Sequence, residues 1–211
     1  MDDNLNTVKL IGESFKYLGG YTMLDRIIKE ATDAVTAAVK GTGDIVGAVT
    51  STVKDQVVNV ISGTGEIATS TVEAIASVAS GSAKAAGTVG TSVTESAAAT
   101  MSGVVKGVSS VSGDVMGAVF GAAQGIVKGT ADTGGDIGAA AVSAVEGAIK
   151  SAGDIGGDTA EAAKSAASGA LNAATSVGGD AVDTVRNALL SSAALPRDVI
   201  ESAIKGTDDK K

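Results

Sequence analysis

A Gly-Asp dipeptide returns at one fixed interval along this chain, at Gly113-Asp114, Gly135-Asp136, Gly157-Asp158 and Gly179-Asp180. Gly43-Asp44, Gly65-Glu66 and Gly87-Thr88 keep the same 22-residue interval, and four residues, Ser109 to Ser112, stand between the two blocks as an insert. Self-similarity at a fixed period constrains the fold more strongly than any other feature. About seven copies of one 22-residue unit make up most of the 211 residues.

Within a unit counted from its Gly, the third, seventh, eleventh and fifteenth positions are mainly apolar, with Thr71 and Thr159 as exceptions. Ile45, Val49, Val53 and Val57 hold them in the first unit, Ile67 and Ile75 in the second, and Val115, Val119 and Val127 in the fourth. Ile137, Val145 and Ile149 follow in the fifth, then Leu171, Val185 and Leu189. A spacing of four is helical, not the alternation of a strand. The unit is two elevens long, and an eleven-residue repeat keeps one stripe on one side of a straight or slightly right-handed helix. The pattern therefore predicts an all-α protein in which residues 41–195 form one very long hendecad-repeat helix. Gly and Asp ride on its polar wedge. At about 1.5 Å per residue the rod would be on the order of 230 Å long.

Such a rod cannot stand alone. Twenty-five of the 29 glycines lie between Gly41 and Gly179, and each costs about 1 kcal/mol relative to Ala within a helix. The stripe must be covered, either by copies of the same chain or by a lipid surface. Its side chains are small and β-branched, which suits layered packing among several parallel helices. We expect a parallel homo-oligomeric bundle or tube of three or more chains, with four as one solution, whose apolar interior could hold lipid or a quinone. Gly113, Gly117, Gly121, Gly125 and Gly129 stand four apart, a small-xxx-small run that permits close helix approach.

The flanks differ from the repeats. Residues 1–40 read as a helical head, its first helix bearing Val8, Leu10, Ile11, Phe15 and Leu18. Gly19-Gly20 breaks it before a second helix with Leu24, Ile27, Ile28, Ala31 and Val35. Phe15, Tyr17, Tyr21, Leu24 and Ile28 either pack the two head helices together or dock the head onto a larger protein complex, since aromatics serve as interaction anchors. At the other end, residues 196–211 begin with Pro196, which stops the long helix. A short helix, Arg197 to Lys205, should follow, ended by Gly206.

Composition narrows the function classes. The chain has no Cys, His or Trp, so zinc, haem and copper sites built from those ligands are excluded. A net charge of −8 disfavours nucleic acid, which needs a basic face. The N-terminus lacks a basic start followed by an apolar core, so no signal peptide is read. No uncharged stretch in the repeats, Val115 to Val127 included, is long enough to span a bilayer. The expectation is a cytoplasmic protein, able to lie peripherally on a membrane. Carboxylates one repeat apart would stand about 33 Å from each other on a single helix, too far to cooperate in catalysis. A non-catalytic scaffold without a metal or cofactor is expected.

VKDQVVNVISGTGEIA and VMGAVFGAAQGIVKGT resemble the eleven-residue repeats of synucleins and perilipins, and DTAEAAKSAASGALNAATS resembles late-embryogenesis-abundant repeats. These resemblances imply an amphipathic coat on lipid, or protection against desiccation. The periodicity is also similar to right-handed parallel coiled coils. The layout, a small head before a long small-residue helix, is similar to the stalk subunit of actinobacterial high-affinity respiratory hydrogenases. That likeness implies four copies forming a scaffold and an apolar tube to the membrane.

Overall fold

The computed structural model describes residues 25–40, 44–64 and 69–208, and every regular element among them is an α-helix. The first, α1, covers residues 25–40. It is followed by α2 (Ile45–Thr64), α3 (Thr69–Val89), α4 (Val93–Ser110), α5 (Val115–Asp132) and α6 (Ile137–Asp154). Then come α7 (Thr159–Val177), α8 (Ala181–Ser191) and α9 (Arg197–Asp208). The single rod expected over 41–195 is therefore not what forms. The 22-residue unit is an 18-residue helix in α4, α5 and α6, about 27 Å long, and a tight reversal.

The Gly-Asp beat is the reversal. Asp114 and Asp136 each accept a hydrogen bond on Oδ1 from the backbone N–H three residues on, at 3.0 and 2.9 Å. Asp158 accepts two, from Ala160 and Glu161. Each is thus an N-cap satisfying donors that the helix itself leaves orphaned. Ser92 fills the same place before α4, and Asp44 before α2. The preceding helix closes just before the cap. Gly90, Ser112, Gly134, Gly156 and Gly178 all have positive φ, and they recur at the interval of the repeat. After α4 the Ser112 N–H reaches the Ser109 carbonyl and the Gly113 N–H reaches that of Val108. The pair closes the helix as a Schellman motif. Gly134 and Gly135 repeat it after α5, and Gly156 and Gly157 after α6.

The unbroken run of positive φ from Gly90 to Gly178 also corrects the expected insert. Ser109–Ser112 belong to an ordinary unit, with Ser112 standing where Gly134 stands in the next. The four additional residues lie earlier, and the packing seams locate them.

Successive helices reverse, so the chain builds two rows. Odd helices pack side by side in one row and even helices in the other, and each helix from α2 to α7 makes its most extensive contact with the neighbour two places along in its own row. At each seam a small residue meets a backbone carbonyl. A methyl group built on Gly81 would come within 2.5 Å of the Ile28 carbonyl oxygen, on Gly103 within 2.7 Å of that of Thr50, and on Gly147 within 3.1 Å of that of Ala98. Gly125 lies against the Ala76 carbonyl and Gly169 against that of Phe120. These five glycines are evenly spaced, one repeat length from each to the next. Their partners, residues 28, 50, 76, 98 and 120, keep the same spacing except between Thr50 and Ala76, where the step is four longer. The four extra residues therefore fall in that interval, where α2 and α3 run to 20 and 21 residues. Gly121, Gly125 and Gly129 meet Val72, Ala76 and Ser80 in the same order, so α3 and α5 are parallel. The expected close approach at this glycine run does occur, but between helices of one chain.

The apolar stripe fills the space between the rows. Val49, Val53, Val57, Ile75, Val119, Val127, Val145, Leu171, Val185 and Leu189 are buried, and Ile45, Val115, Ile137 and Ile149 are half-buried against the same cluster. Ile67 lies outside the described residues. The stripe is thus covered by the chain's own helices. Folding back on itself is a third way to cover it, beyond the neighbouring chains or lipid expected from the sequence. It also removes much of the glycine cost: glycine is favoured at a positive-φ turn, and at the seams it permits contact that a Cβ would block.

Residues 25–40 of the expected head form the first rung of the odd row, with Ala31, Val35 and Val39 in the core. At the seam position held by glycine in α3 to α7, α1 and α2 carry the exposed residues Asp33 and Asp55. Asp33 binds Lys29 at 2.7 Å, and this hydrogen bond raises the lysine's pKa. At the far end α8 is only 11 residues long, and α9 begins after Pro196, as expected, but continues through Gly206 to Asp208. It buries Ile200, Ala203 and Ile204 and leaves Arg197, Glu201 and Lys205 exposed. Charged outer faces on terminal units are what keep a repeat array soluble.

Candidate functional site

The reversal of alternate helices gives the odd row an outer face made of parallel elements, and a groove of about 210 Å³ runs across it. Four helices contribute: Ile28 from α1, Glu73 and Ser80 from α3, Gln124 and Lys128 from α5, and Ser176 from α7. Its floor is small, formed by Ala76, Gly125 and Ala173, because that floor coincides with the glycine seams. Ile28 is the one described member of the expected docking set. It is half-buried at the groove's edge, while Phe15, Tyr17, Tyr21 and Leu24 lie outside the described residues.

The groove is polarised. Lys128 sits beside Gly129, which abuts Ser80, so Lys128 and Ser80 share one level. Glu73 precedes Ser80 by two helical turns on α3, which places it about 10 Å away along the helix axis. Among the described residues no carboxylate pairs with Lys128 and no cation pairs with Glu73. Gln124 donates from Nε2 to Asn172 Oδ1 at 2.8 Å, which ties α5 to α7 and leaves a second amide hydrogen. Ser80 is 4% exposed, and its hydroxyl has no hydrogen-bond partner. An orphaned buried polar group costs about 1–3 kcal/mol. The neighbouring Ser77 avoids that cost by donating to the Glu73 carbonyl.

Two other concavities are larger but carry fewer charged side chains. An apolar one of about 300 Å³ is lined by Ile61, Val72, Ile75, Val108 and Ala118, with Asp114 at its edge. It lies at the tips of α2 and α3, not along an axial lumen. The space between the rows of the single chain is filled by buried Ala and Val. A wide depression on the even row is bordered by Thr94, Val142, Glu146 and Ser191. Asp114, Asp136 and Asp158 serve as caps, and no group of three metal-binding side chains occurs among the described residues. No described helix is long and apolar enough to cross a membrane.

Sequence reasoning missed a column of lysines. Lys84, Lys106, Lys128 and Lys150 recur at the repeat interval, in the C-terminal halves of α3 to α6 but ahead of the last turn. Placing the insert at 109–112 divided this column between two different repeat positions and hid it. Lys84 is bound by Asp132 of α5 at 2.9 Å, whereas Lys128 borders the groove. No family model matches this chain, and no curated protein matches it either.

Proposed function

We propose that this protein is a non-catalytic scaffold, a two-row helical repeat with capped ends that docks a segment of a partner protein along the groove of its odd row. The observation that supports this most is the groove itself. It crosses four helices, contains unpaired charges of both signs, and is bordered by Ile28, where docking was expected from the head. Repeat arrays present extended surfaces of this kind to partners. Burial of the apolar stripe within the chain favours this reading over a stalk or a lipid coat.

The test compares protein complexes recovered with the intact chain and with charge-inserted variants. Ala76→Arg and Gln124→Arg obstruct the groove, and Ser102→Arg places the same charge on the even row. Loss of a stoichiometric partner with the first two and retention with the third is the expected result. Equal recovery with all three overturns the reading.

A further inference from the structure

Resting on that docking reading, we infer that the groove receives the C-terminal end of a polypeptide, its carboxylate at Lys128 and Ser80 and a cationic side chain at Glu73. The Lys128 ammonium and the unpartnered Ser80 hydroxyl stand at one level of the groove, and the second amide hydrogen of Gln124 lies about one helical turn nearer Glu73. A carboxylate offers about four lone-pair sites, so one cation with neutral donors around it satisfies both its charge and its geometry. A phosphate group suits the site less well, because it carries more charge and is matched by arginine forks, and the groove has a single cation and a nearby Glu73.

The remaining features specify a main chain. The floor of Ala76, Gly125 and Ala173 offers no deep side-chain pocket, and lets an extended backbone lie close. The distance of about 10 Å between Ser80 and Glu73 along α3 equals about three extended residues. Glu73 then faces a side chain near the third residue from the carboxylate, and its negative charge selects a cation there. The buried Ser80 hydroxyl gains, on binding, the partner that the free protein does not supply.

Calorimetric titration of the full-length chain tests this with three probes: acetyl-Lys-Ala-Ala with a free carboxylate, the same peptide as its C-terminal amide, and acetyl-Ala-Ala-Ala with a free carboxylate. The first should bind saturably and the amide at least tenfold more weakly. Lys128→Gln should produce a similar loss for the first peptide. Glu73→Gln should abolish the preference for Lys over Ala. Ser80→Ala should weaken binding several-fold and, because it removes an orphaned buried hydroxyl, should leave the melting temperature of the free protein no lower than before. Equal binding of acid and amide overturns the chain-end inference while leaving the docking reading in place. Absence of binding by every peptide, or affinity unchanged in Lys128→Gln, also overturns it. The charge-insertion comparison decides the docking reading independently.

Discussion

One residue type serves three physical purposes in this chain, and the same substitution should reveal each. Gly156 has φ +73° with open space around the position of a Cβ, so Gly156→Ala strains the backbone and should destabilise by about 1 kcal/mol. Gly125 lies in helical backbone against the Ala76 carbonyl. The propensity gain of up to about 1 kcal/mol for Ala is there opposed by overpacking of about 1–3 kcal/mol, and Gly125→Ala should be net destabilising. Gly153 lies in the last turn of α6, and its nearest neighbour, Thr159 Cγ2, is 3.5 Å from the Cβ position. Gly153→Ala should stabilise by up to about 1 kcal/mol. Urea unfolding monitored by circular dichroism orders the three. The caps allow a similar comparison. Asp136 caps α6 at 2.9 Å, whereas Asp180 makes no side-chain cap bond. Asp136→Ala should therefore cost about 1 kcal/mol and Asp180→Ala less than about 0.5 kcal/mol. From sequence, the Gly-Asp pair was legible as a repeated mark but not as a turn, because the four-residue apolar spacing carries across the reversal and places Asp on a plausible polar wedge.

At the scale of the helix, the four-residue spacing identified the helical state and one stripe of the core, since burial on one face is what periodicity encodes, while buried Ala118, Ala122 and Ile126 lie off that stripe. What it could not decide was whether the covering neighbour belonged to the same chain. A stripe of Val and Ala is equally suited to both, and the distinction rests on whether a four-residue segment such as Thr133–Asp136 can reverse. The Schellman closure after α5 and the N-cap before α6 settle it locally, through Gly134, Gly135 and Asp136. The groove was less legible still. Apart from Ile28, its residues meet only once α3, α5 and α7 lie side by side, and each such contact joins positions more than two repeat lengths apart, as Ala76 and Gly125 are. The last helix offers a test of this packing. Ile200 is fully buried where α9 rests on α7, and its truncation to Ala in a core costs about 2–5 kcal/mol. Because a repeat array loosens from its ends, Ile200→Ala should release α9 without unfolding the middle of the array. Limited proteolysis should cut within 192–208 sooner than in the intact protein, with protection of α4 to α6 unchanged. Simultaneous loss of protection throughout would show that the array melts as one unit.

For the whole molecule, the balance between folding back and self-association is set at the ends of the rows. An open seam of small residues would invite a further copy, which is how a repeat array becomes a filament. At the first rungs that seam position holds Asp33 and Asp55 instead of glycine. Stacking a second copy there would desolvate two carboxylates against an apolar neighbour, which burial without pairing makes strongly unfavourable. At the last rung α9 turns Arg197, Glu201 and Lys205 outward. Among the described residues these charges oppose continuation, and a net charge of −8 adds repulsion between copies. The expected solution state is a single compact chain. Its radius of gyration should lie near the compact-chain value of about 17 Å for this length, allowing a modest increase for elongation. A rod of about 230 Å would give about 65 Å, from the rise of an uninterrupted helix. Small-angle scattering distinguishes these directly, and sedimentation of the same sample gives the mass. A mass of three or more chains would show that faces other than the buried stripe drive assembly. In that event Asp33→Gly with Asp55→Gly should strengthen association if the charged seam positions limit it, and leave it unchanged if they do not.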